Sequence, residues 1–141
     1  MKNAALAKLI KIAEAEQQKI ANQLVIVDQQ IDALTQAKMA INDGLENEMA
    51  AAAEMLQGYP ILGQYHTAAK IKKSELQSQL DELNMRRPQI ADGLYQKGLE
   101  VKRLERLSER FKQREALKIA ERERKMAEEA ALIRYNFRGE G

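Results

Sequence analysis

Residues Leu6–Leu45 read LAKLIKIAEAEQQKIANQLVIVDQQIDALTQAKMAINDGL. Apolar residues recur here at alternating steps of three and four: Leu6, Ile10, Ala13, Ile20, Leu24, Val27, Ile31, Leu34, Ile41 and Leu45. Ala52 and Met55 continue the series, and only Gln17, Lys38 and Glu48 interrupt it. A seam of that period places one apolar stripe along a long helix and asks for a partner helix to cover it. No stretch alternates with period two, so no strand competes.

The composition agrees. The chain has 141 residues, 45% apolar and 31% charged, but only 4% aromatic and without tryptophan. A chain of this length suits one domain. Its Ala, Leu, Glu, Lys, Arg and Gln content is that of long helices and coiled coils. There is no cysteine, so disulfides and thiolate metal sites are excluded. No apolar run approaches bilayer length, and the amino terminus lacks a signal-peptide core. These features lead us to expect a soluble, cytoplasmic protein without cofactor or metal and without direct membrane insertion.

The first seam ends at QGYPILG, Gln57–Gly63, where Gly58, Pro60 and Gly63 punctuate the chain. A looser seam follows: Leu62, Tyr65, Ala69, Leu76, Leu80 or Leu83, Ile90, Leu94, Val101, Leu104, then Leu107 or Phe111. Lys72 and Arg87 fall on its positions. Pro88 removes one helical hydrogen bond and predicts a kink rather than an end, because the seam resumes at Ile90. The expected fold is all-α: a long antiparallel two-helix coiled-coil hairpin, kinked near Pro88. The expected limits are helix 1 over about 3–56, a turn at 57–63, helix 2 over about 64–134, and a frayed tail at 135–141. A turn centred at Pro60 would set Val27 near Leu94 and Ile20 near Val101. Each arm would span roughly 80 Å at 1.5 Å per residue. Both chain ends would lie at one tip, with the last turns of helix 2 lacking a partner.

Charge is uneven although the net is only +2. Five bases and eight acids lie in 1–57, against 13 bases and seven acids in 86–125. Within the basic half, VKRLERLSERFKQREALKIAERERK (Val101–Lys125) carries Lys102, Arg106, Arg110, Arg114, Lys118 and Arg122 four residues apart, a continuous basic ridge on a helix. Interrupting glutamates and the lack of interleaved aromatics argue against nucleic acid. Too few apolar residues oppose the ridge for a membrane-surface helix. Like charges four apart repel, which favours docking on an acidic protein surface over a merely solvated helix face, the two readings that the pattern leaves open. No residue group supports catalysis: His66 is the lone histidine, and GYPILG lacks the Gly-Lys-Ser/Thr step of a phosphate loop. We therefore expect no enzyme.

Together, the long first helix, the Gly/Pro break followed by a tyrosine, and the stretches YHTAAKIKKSELQSQL (Tyr65–Leu80), KRLERLSER (Lys102–Arg110) and ERKMAEEAALIRY (Glu123–Tyr135) resemble the FliJ family. These are the soluble stalk proteins of the bacterial flagellar export apparatus. The resemblance implies a rod whose terminal end enters the hexameric ring of the export ATPase, with Lys102, Arg106, Arg110, Arg114, Lys118 and Arg122 as ring contacts. It implies contact with the cytoplasmic domain of the export-gate membrane protein through Tyr65, Ala68, Ala69, Lys72, Leu76 and Gln79. It also implies escort of export chaperones and a location at the cytoplasmic face of the inner membrane. Ala68 and Ala69 stand where family members often carry a larger side chain. A virulence-type secretion stalk is a close relative of this reading. A stand-alone coiled-coil chaperone or adaptor, such as a prefoldin-like subunit, is the reading from a different class.

Overall fold

The computed structural model describes residues 2–54 and 58–139. It is all-helical: α1 spans Lys2–Ala53, α2 spans Gly58–Gly139, and the two pack against each other. Residues group into two compact units, one of Met1–Glu16 with Lys97–Gly141 and one of Gln17–Gln96.

On α1 the seam sorts burial residue by residue. Leu6, Ile10, Ala13, Gln17, Ile20, Leu24, Val27, Ile31, Leu34, Lys38, Ile41, Leu45 and Ala52 are all buried or half-buried, and the residues between them are almost all exposed. Gln17 and Lys38 keep their seam positions despite their polarity. Lys38 does so by donating from Nζ to Gln77 Oε1 across the helices. Glu48 leaves the seam and is exposed. Met55 lies outside the described residues.

The second seam is partly reassigned. Ala69, Leu76, Leu80 and Val101 are buried, and Leu62, Leu83, Ile90, Leu94, Leu104 and Phe111 are half-buried. Leu80 and Leu83 both turn inward, and Phe111 rather than Leu107 ends the seam. Lys73, not Lys72, takes the half-buried lysine position, while Arg87 lies exposed at the edge. The contact is one side chain deep: among the described residues, no side chain is fully enclosed.

Three boundaries move. Residues 58–63, expected in the turn, are helical, and α1 closes at Glu54, whose amide donates to the Ala51 carbonyl at 3.2 Å. Residue 57 lies outside the described residues. Pro60 sits in the first turn of α2, where helical amides have no acceptor and a missing N–H costs nothing. Tyr59 is accordingly helical, not pushed from the α region. The earlier break moves the cross-helix pairing: Arg87 meets Asp28, whereas a turn at Pro60 would have set Leu94 near Val27. At the far end, α2 reaches Gly139, so Tyr135–Gly139 is helix rather than frayed tail. Pro88 lies inside α2, which continues on both sides of it.

Burial sets the expected mutational cost. Leu76 is 6% exposed and Met85 73% exposed. Urea unfolding should show Leu76→Ala losing about 2–3 kcal/mol, the low end for a core leucine in so thin a core. Met85→Ala should stay within about 0.5 kcal/mol.

Candidate functional site

Lys102, Arg106 and Arg110 lie where α2 still runs beside α1, and Arg114, Lys118 and Arg122 lie past Phe111. Leu107 and Phe111 line an apolar groove with Ala5, Leu6 and Leu9 of α1, and Arg114 borders it. Past Phe111, every residue from Lys112 to Gly139 is exposed. Lys102, Arg106, Arg110, Arg114, Lys118 and Arg122 are exposed without exception. Lys118 stands 3.9 Å from Glu115, at the outer limit of an ion pair. Among the described residues the other five have no carboxylate within ion-pair distance. The ridge therefore carries largely uncompensated charge, although Glu105, Glu109, Glu121 and Glu123 share its helix.

The second group, at the start of α2, is split by burial. Ala69 and Leu76 turn inward, while Tyr65, Ala68, Lys72 and Gln79 are exposed. Lys72 pairs with Glu75 at 3.7 Å. Tyr65 reaches across to α1: its hydroxyl oxygen lies 2.8 Å from where a β-carbon on Gly44 would sit. Gly44 thus leaves the room that the phenol uses. Ala68 borders a shallow hollow with Gly63, Gln64, Thr67 and Ile71, without a titratable group. His66 lies at a groove with Leu45, Lys70 and Lys73.

Two cross-helix ion pairs were not evident in the sequence. Arg87 donates from Nε and Nη2 to both carboxylate oxygens of Asp28, at 2.5 and 3.2 Å. Lys97 reaches both Glu16 and Glu100. The hydrogen bond from Arg87 holds the Asp28 carboxyl below its ordinary range, and Arg87 is raised in turn. The bonds to Glu16 and Glu100 raise the Lys97 ammonium. The available signal was sign complementarity between an acidic first helix and a basic second one, but choosing partners required the register.

Among the described residues no cluster of three His, Cys, Asp or Glu side chains could hold a metal, and no helix is long and apolar enough to cross a membrane. No protein-family model, curated protein or solved structure matches this chain.

The ion pairs give a pH signature. Asp28 is depressed on folding, so its contribution is present above the unfolded carboxylate value of about 3.9 and is lost as pH falls through its lower folded value. Lys97 is raised, so its contribution is present below about 10.4 and is lost as pH climbs through its higher folded value. Urea midpoints of Asp28→Asn and wild type should differ at neutral pH and converge in acid. Those of Lys97→Met and wild type should converge only at strongly alkaline pH.

Proposed function

We propose that the chain is a non-enzymatic stalk and coupling protein of a flagellar-type export machine, built as an antiparallel coiled-coil hairpin with a kink at Pro88. The antiparallel sense is supported within each unit. In one, Asp28 meets Arg87 and Lys38 meets Gln77, so contacts descend α2 as they climb α1. In the other, Glu16 meets Lys97 while Leu6 and Leu9 share a groove with Leu107 and Phe111. The kink rests on Pro88, which removes the hydrogen bond to the Asn84 carbonyl.

The observation that carries the functional reading is the exposed, mostly unpaired basic ridge on a helix that outruns its partner. Inserted into the ring of a hexameric export ATPase, such a helix presents one sign of charge to successive subunits. Contacts there are partly desolvated and worth more than the 0–1 kcal/mol or so of an open surface pair. A rigid helix that touches ring subunits unequally favours some subunit states over others. That is a physical route from hydrolysis to the gate. At the start of α2, the outward residues Tyr65, Ala68 and Lys72 are the gate-contact candidates. Ala69 and Leu76 serve the helix pair instead. Export chaperones, a site at the cytoplasmic face of the inner membrane and the alternative of a virulence-type system come with the family resemblance.

A second reading, a stand-alone coiled-coil chaperone or adaptor, is favoured by the apolar side chains exposed near the end of α2, including Ile133, Tyr135 and Phe137. One experiment separates the two. Adding the protein to its cognate export ATPase should raise hydrolysis and give co-elution. Arg106→Glu with Arg110→Glu and Arg114→Glu should abolish both while helicity stays unchanged. No stimulation and no co-elution by the wild type would sink the stalk reading.

A further inference from the structure

The extension of α2 to Gly139 creates a seam that neither helix covers. Ala116, Ile119, Glu123, Met126, Ala130 and Ile133 follow one another at alternating steps of three and four, and Phe137 comes four later. All are exposed: Ile119 by 51%, Met126 by 69%, Ile133 by 67% and Phe137 by 79%. That spacing is a coiled-coil seam of about three heptads. Upstream, the same helix spends its seam on α1. Here the described residues of α1, whose Ala5 and Leu6 lie at the groove of Leu107 and Phe111, leave the seam uncovered, and every described residue past Phe111 is exposed.

We propose that this seam pairs with the same seam of a second copy of the chain, antiparallel, in a two-fold symmetric dimer. In the heptad-matched register, Ile133 of one copy faces Ala116 of the second, and Ile119 faces Ala130. Met126 faces the aliphatic part of Glu123, and Phe137 lies along the stem of Lys112. Each layer sets a large side chain against a smaller or flexible one, which fills space without overpacking. Arg122 on the flank then stands opposite Glu129 of the second copy, and symmetry repeats that pair. A parallel dimer would instead stack Glu123 on Glu123 inside the seam and like on like in every apolar layer. The charge pattern therefore selects the antiparallel sense. With only about three heptads, the dimer dissociates on dilution. This pairing shares Arg122 with the ridge of the export reading, but the two fail separately: a permanently monomeric chain that stimulates the ATPase overturns only the pairing.

The test uses the full chain. Sedimentation over a dilution series should move from twice the 16.0 kDa chain mass to the chain mass. Ile133→Glu, at an exposed position that leaves the single chain intact, should weaken association about a hundredfold, since both copies lose an apolar layer. Arg122→Glu should weaken it about tenfold, and Arg122→Glu with Glu129→Arg should restore it. The chain has no cysteine, so orientation can be read by cross-linking. Ile119→Cys combined with Ala130→Cys should form an inter-chain disulfide. Ile133→Cys alone should not, because the two copies of that position lie far apart in the antiparallel dimer and face each other only in a parallel one. A monomer at every concentration, a dimer indifferent to Ile133→Glu, or cross-linking of the Ile133→Cys variant, whatever the double variant does, would overturn the proposal.

Discussion

Among the described residues up to Phe111, each of the two helices lays an apolar stripe along the other, and each is the surface on which the other buries it. No third element is present among the described residues, and no side chain there is fully enclosed. All tertiary stabilisation therefore comes from one row of side chains meeting another. Small residues matter in such a contact as much as large ones. Ala13, Ala52 and Ala69 are among the buried residues because two helices approach closely where a methyl group is all that stands between them. Polar residues survive on the stripe only with a partner or a route to water, as Lys38 does through Gln77.

The α1 stripe was legible in the sequence almost to the residue, because thirteen of its fifteen positions are buried or half-buried. Periodicity is a strong signal when it runs unbroken. On α2 the stripe is interrupted by Lys72, Arg87 and Pro88, and period alone could not decide between Leu80 and Leu83 or between Leu107 and Phe111. The helix boundaries misled for a different reason. Gly58 and Pro60 read as a turn, but both are tolerated in the first turn of a helix, where backbone amides lack acceptors anyway. The tail from residue 135 read as frayed, yet α2 continues through Gly139.

Of the candidate site, the exposure of the ridge was legible, because four-residue spacing fixes one face of a helix. What the sequence did not show was how little of that charge is locally compensated, or that Ala69 and Leu76 turn inward while Tyr65 crosses to Gly44. Those facts depend on register between the helices. Register depends on where the chain turns, and a shift of a few residues moves every cross-helix pair. The same logic explains the free seam near the end of α2: it exists because α1 is shorter, a relation between two lengths that no local motif encodes.

Up to Phe111, α1 and α2 hold each other together; beyond it, α2 stands alone. Amide hydrogen exchange of the full chain, at a dilution where it is monomeric, tests this directly. Slow exchange is expected across α1 and across α2 up to about Phe111, then a steep loss of protection from Lys112 to Gly139. Uniform protection through Gly139 in the monomer, or an α1 that exchanges as fast as the end of α2, would contradict it.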